Sequence, residues 1–209
     1  MASPLRRRAN AWIVVWLVSA ALAAPDMLQV FGYSWSVPHA SDWKIENFDG
    51  APVLALLRAR GPLPGPRRPI QFALAETPER KHVSIDVDAQ PLQRSLIIVF
   101  AYRDPEHFDY AHLSTDAAAS EPHHNGIFHV YGGERVRISA VEGPAAFSAS
   151  RHWYHVRLVT DAPSGSVQVF VDGRSVPSLQ AVDLSLRGGK IGLGSFDETA
   201  EFKNVKLGF

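Results

Sequence analysis

Apolar and polar residues alternate with a two-residue period along most of the chain. In HVSIDVDAQ (82–90), Val83, Ile85, Val87 and Ala89 alternate with Ser84, Asp86 and Asp88, and in GSVQVFVDG (165–173) Val167, Val169 and Val171 repeat the pattern. Successive side chains of a strand point to opposite faces, so this is the signature of strands with one face buried. The same reading predicts strands near DWKIEN (42–47), PVLALLRA (52–59), IQFALAE (70–76), SLIIVFAY (95–102), DYAHLST (109–115) and IFHV (127–130). Further strands follow near RVRISA (135–140), HWYHVRLVT (152–160), KIGLGSF (190–196) and EFKNVKLGF (201–209). No segment carries a helical period.

Breakers separate these runs. GPLPGPRRP (61–69) is a dense proline and glycine connection, Asp172-Gly173 signals a hairpin, and Gly188-Gly189 introduces a late strand. Strands at this spacing predict an all-β sandwich, and no internal repeat points to a propeller or solenoid.

The first residues stand apart. Arg6, Arg7 and Arg8 precede the apolar run AWIVVWLVSAALAA, which ends in small residues. This predicts a secretory signal over 1–23 with cleavage after Ala23, a single domain over 24–209, and a secreted or periplasmic location. The run is short for a membrane span, and no second one follows. The chain has no cysteine, so no disulfide framework forms. Lys plus Arg and Asp plus Glu each number 21. That balance gives no bulk field for nucleic acid and favours a neutral partner.

Three stretches carry a resemblance. SDWKIENFDGAPVLALL (41–57), RHWYHVRLVTDAPSGSVQVFVDGRSV (151–176) and GGKIGLGSFDETAEFKNVKLGF (188–209) resemble the concanavalin A-like jelly-roll superfamily. Within it, the chain looks most like laminin G-like domains and the 3-keto-disaccharide hydrolase-like family of exported bacterial proteins. The resemblance implies a jelly-roll sandwich of two antiparallel sheets, a glycan face on one sheet, and calcium held by loop oxygens. The hydrolase family's Gly-x-Glu-x-Gln stretch is missing here.

The most conspicuous chemistry is EPHHNGIFHV (121–130), where three histidines surround Asn125-Gly126. A three-residue loop Tyr131-Gly132-Gly133 would pair Val130 with Glu134 and Phe128 with Val136. Phe128, Val130, Val136 and Ile138 then share the core face, whereas a two-residue Gly132-Gly133 turn would set Phe128 and Val130 beside Arg135 and Arg137. The first register is expected. Ala111 and Leu113 suit the core one strand earlier, which turns Tyr110 and His112 outward. The predicted outer strip is Tyr110, His112, His129, Arg135 and Arg137, with His124 and Asn125 reaching over from an irregular loop at 116–126. Flat rings beside hydrogen-bond donors suit a saccharide.

Other chemistries are weighed against this strip. His123, His124 and His129 fit no strong zinc spacing. Calcium has oxygen candidates in Asp42, Asp49, Asp197 and Asn204, without a dense acidic loop. The nearest approach to a glucanase Glu-x-Asp-x-x-Glu strand is Asp104-Pro-Glu106-His-Phe-Asp109, which Pro105 turns into a loop. A hydrolytic mechanism with His112 or His129 as base and Asp109 or Glu134 in support is kept open. Ser114, Ser139 and Ser195 sit in no nucleophile elbow, and Trp153 is expected in the core. The leading expectation is an exported glycan-binding or glycoside-hydrolase-like sandwich; the alternative is a laminin G-like adhesion domain.

Overall fold

The structure is a computed structural model that describes residues 25–61, 64–185 and 187–209; the leader expectation falls outside them. The described chain is almost entirely β and forms two antiparallel sheets. One has eight strands in the order β1 (Asp26–Val30), β2 (Tyr33–Val37), β5 (Gln71–Ala75), β14 (Lys190–Ser195), β7 (Ser95–Asp104), β8 (His107–Ser114), β9 (Gly126–Tyr131) and β10 (Glu134–Arg137). The other has seven, in the order β13 (Arg174–Val182), β12 (Ser166–Val171), β11 (Tyr154–Asp161), β6 (His82–Pro91), β15 (Ala200–Gly208), β4 (Ala51–Leu56) and β3 (Trp43–Phe48). The sandwich is a concanavalin A-like jelly roll.

Alternation places the main core between the sheets. Val83, Ile85, Val87, Val167, Val169 and Val171 face inward as predicted, against Leu96, Ile98, Ala111, Leu113 and Ile127 of the larger sheet. That larger sheet is apolar on its outer side as well. Phe72, Ile97, Val99, Phe108, Tyr110, Phe128, Val130 and Phe196 form a second cluster there. A strand buried on both faces reads as a continuous apolar run, which is what SLIIVF shows.

The second cluster overturns the expected hairpin register. β9 and β10 join through a two-residue turn at Gly132 and Gly133, with φ of 59° and 82°. Positive φ at both central residues is the geometry that suits strand twist, and glycine adopts it without steric penalty. The turn pairs Tyr131 with Glu134, Val130 with Arg135, His129 with Val136 and Phe128 with Arg137. Arginine stems lie along aromatic surface without penalty, so placing them beside Phe128 and Val130 is not the mixing of core and charge that it seemed.

Four expectations are corrected with the register. Val136 is 57% exposed and outside the core. Tyr110 is buried in the outer cluster instead of lying free on the surface. Phe128 and Val130 are buried on the outer side, not between the sheets. Because Asp109 pairs with His129 and Tyr110 with Phe128, His129 faces the opposite side of the sheet from Tyr110 and His112. Separately, Trp153 is only half-buried, beside Phe48 at 6.4 Å and under Lys203 Nζ at 4.2 Å. The buried ring of that segment is Tyr154, stacked on Phe147 at 4.5 Å.

Candidate functional site

The outer side of the larger sheet is partly covered. The connection between β4 and β5 brings Arg67 to the carboxylate of Asp197 and to within 5.0 Å of the Phe196 ring centroid. Its neighbour Arg68 donates Nε to the Pro105 carbonyl at 2.9 Å. Arg67 borders one cleft and Arg68 another. The second cleft, about 410 Å³, is mostly apolar and is lined by Phe72, Leu74 and Tyr102 with Pro69 and Ile70. The first, about 220 Å³, sets His112, Arg135, Arg67 and Arg94 beside the apolar rings of Phe128 and Phe196.

His112 forms part of the first cleft's lining and is 6% exposed, yet its Nε2 has no hydrogen-bond partner. An orphaned buried polar atom costs roughly 1–3 kcal/mol and calls for an explanation. Burial, then the charges of His124, Arg135, Arg94 and Arg67, push its pKa down to about 3. The ring is therefore neutral at pH 7. It lies against Phe196 at 6.0 Å and 25°, and near His124 at 5.5 Å.

Arg135 closes one side. Its guanidinium carbon lies 4.7 Å from the Phe196 centroid and 5.7 Å from that of Phe128, and Nη1 donates to the Tyr110 hydroxyl at 3.3 Å. Tyr110 stacks on Phe128 at 5.0 Å and 9°. Burial pushes the Tyr110 hydroxyl up to about 12, so it stays a phenol. On the far side, Glu198 holds Arg94 at 3.0 Å and raises its pKa.

The 115–125 segment is irregular, as expected, and carries Glu121, His123 and His124 to the rim of this cleft. Asn125 anchors the segment instead of reaching over it. Its Oδ1 accepts from the amides of Ser114 (2.9 Å) and Ala146 (3.0 Å), and its Nδ2 donates to Ser114 Oγ (3.1 Å) and the Asp116 carbonyl (2.8 Å). All of its bonding capacity is spent inside the protein. Arg137 is likewise a clamp: its guanidinium donates to the carbonyls of Ser139, Asn125 and Val141. A Cβ on Gly126 would come within 2.6 Å of Arg137 Nε, so glycine is what admits that guanidinium.

His129 belongs to a different constellation at the sandwich rim, where the end of β13 meets β8 and β9. Its Nδ1 lies 2.7 Å from Asp109 Oδ1 and 3.0 Å from Asp183 Oδ2, and its Nε2 lies 3.3 Å from Ser185 Oγ. Among the described residues, these three, Asp109, His129 and Asp183, are the group whose donor atoms lie close enough to share one ion. Burial raises the Asp109 pKa to about 6, with Asp183 adding to the rise and His129 opposing it. The hydrogen bond to Asp109 in turn raises His129. The Ser185, His129, Asp109 order has the outline of a nucleophilic triad. Its proton chemistry runs the other way. Ser185 donates to Asp183 Oδ1 at 2.6 Å, so its proton is directed to that carboxylate and not to the His129 ring.

The remaining expectations separate in space or in role. Glu134 is exposed and makes no ion pair among the described residues. The calcium candidates do not converge: Asp42 is bound by Arg60, Asp49 sits in the β3–β4 turn, Asp197 holds Arg67, and Asn204 donates to Asp88. They do not form a calcium cage. Asp104 and Glu106 lie at a tight turn, as Pro105 requires. Ser114, Ser139 and Ser195 are buried acceptors for nearby groups. Sequence reasoning missed Arg67, Arg94 and Phe196 at the cleft and Asp183 and Ser185 at the rim. The Arg67-Arg68 pair inside a proline-rich connection was the one available signal.

No family model and no curated protein matches the sequence. Solved structures do match in fold. The carbohydrate binding module CBM66 from Bacillus subtilis aligns at a TM-score of 0.59 and 17% identity, over 84% of this chain and 95% of that one. A GH43 protein, BlXynB, from Bacillus licheniformis aligns at 0.56 and 11%, over 88% of this chain and 38% of its own. A xylan beta-1,4-xylosidase from Bacillus halodurans C-125 aligns at 0.52 and 14%, over 82% and 35% respectively. At these identities the likeness establishes the fold alone, a sandwich of two antiparallel sheets.

Proposed function

We propose that this protein is an exported, carbohydrate-engaging β-sandwich over residues 24–209 that binds a saccharide in the cleft between His112, Arg135 and Phe196. The observation that carries this reading is the buried His112 Nε2, left without a partner in the lining of an open, ring-lined cleft. A sugar hydroxyl supplies the missing partner, and the rings of Phe196 and Phe128 supply flat apolar surface for a pyranose face. The fold shared with a carbohydrate binding module supports the same reading.

Binding is favoured over hydrolysis. Asp109, the acid expected to support His112 or His129, lies on the other side of the sheet from His112; it does meet His129, but away from the cleft. Of the carboxylates at the cleft, Asp197 holds Arg67 and Glu121 lies 3.7 Å from His124 Nε2. Neither is paired with a second carboxyl across an open bond-sized gap in the way glycosidases require.

The test compares the parent with His112→Phe on a glycan array. The parent is expected to bind at least one saccharide and the variant to lose it while keeping its melting temperature. A parent that binds no saccharide at all ends the carbohydrate reading and favours the laminin G-like protein-interaction alternative.

A further inference from the structure

Several features compete for a role. The apolar second cleft has nothing to say what fills it, and in the Asp109, His129, Asp183 group both imidazole nitrogens already have partners, although Asp183 Oδ2 itself makes no hydrogen bond. The cleft at His112 holds more information because its charges can be balanced one by one.

Its charged groups are paired one to one, with a single exception among the arginines. Arg67 is held by Asp197, and Arg94 by Glu198, with Asp116 a further 3.8 Å neighbour. His124 is held by Asp116 at 2.7 Å, leaving Glu121 at 3.7 Å from its other nitrogen. Arg135 alone among the lining arginines has no carboxylate within ion-pair distance among the described residues. Its guanidinium is not loose. Two aromatic rings and the Tyr110 hydroxyl hold it, and a guanidinium so placed over rings keeps its remaining in-plane N–H groups free for a planar, two-pronged acceptor.

Resting on the saccharide reading above, we propose that the cleft selects acidic sugars: Arg135 receives the carboxylate of a hexuronate residue while His112 Nε2 meets a hydroxyl of the same ring. The carboxylate supplies the acid that Arg135 lacks, and its two coplanar oxygens match the guanidinium fork. At about 220 Å³ the cleft suits a single ring of a chain, below the roughly 300 Å³ where ligand pockets usually begin.

The experiment is calorimetric titration with trisaccharides of galacturonate, glucuronate and mannuronate, each beside its methyl ester, which keeps the shape and removes the charge. A neutral xylo- and gluco-oligosaccharide panel runs in parallel. The parent is expected to bind one acid at least tenfold more tightly than its ester, with the preference shrinking as salt is raised. Arg135→Gln should reduce the ratio to about one, and Arg135→Lys should restore part of it. Arg135 is an exposed residue of an edge strand, so both variants are expected to fold, which a thermal melt checks. Equal affinity for acid and ester, or binding confined to the neutral panel, overturns the acidic-sugar inference and leaves the saccharide reading standing. No binding to any oligosaccharide overturns both.

Discussion

Two histidines on neighbouring strands of the same sheet, His112 on β8 and His129 on β9, have opposite fates. His129 lies at the rim with both nitrogens occupied, by Asp109 and Asp183 on one side and Ser185 on the other. His112 lies on the outer face with Nε2 unpartnered. The first is a fully partnered imidazole in a cluster that ties β8 and β9 of one sheet to the end of β13 in the other. The second is neutral, buried and incomplete. A histidine whose needs are met internally reads as architecture, and one left incomplete beside an open cleft reads as a receptor.

The comparison breaks first on stability. His129→Ala leaves Asp109 and Asp183 facing each other with no imidazole between them. Removing one partner of a buried ion pair costs about 3–5 kcal/mol, and the partial exposure of His129 places the expected loss near 3. On the register expected from sequence, the same change would have been nearly silent. Urea denaturation of the variant decides between the two registers.

Phe128→Ala should lose a comparable amount, about 3 kcal/mol, at the low end for a buried aromatic because the ring borders the cleft. It should also weaken any ligand binding, since Phe128 supports Arg135. A loss of stability with binding unaffected would separate the outer cluster from the site.

A pH series sharpens the contrast by a smaller margin. The hydrogen bond and charge of Asp109 raise the native pKa of His129 above its ordinary 6.5. The stabilisation from its protonated form is fully present below that ordinary value and is lost as pH rises through the raised native one. The stability gap between the parent and His129→Gln should therefore narrow as pH rises from the ordinary histidine value through the raised native one. A gap that widens with pH contradicts the assignment. His112→Phe, in contrast, removes an orphaned polar atom and should change stability by less than about 0.5 kcal/mol or raise it slightly.

The strands and the inner core were legible in sequence because β6, β11 and β12 carry one polar face, so alternation alone tells inside from outside. The site was not, for a physical reason. β7, β8 and β9 are buried on both faces, and there alternation identifies two faces without saying which is the core. Phe128 and Val130 were read as inner residues because they are apolar, when the residue facing inward is Ile127. Gly132-Gly133 gave the correct turn signal and was set aside to keep arginines away from rings that in fact support them. The remaining cleft residues, Arg67 and Phe196, come from segments far apart in the chain, which only the topology brings together.

Nitrogen-15 NMR of the histidine side chains during a saccharide titration tests the central claim most directly, because it watches both histidines at once. If the cleft is the site, the Nε2 resonance of His112 moves with saturation while those of His129 stay fixed. Movement at His129 with His112 unchanged would place the site at the rim and contradict the account.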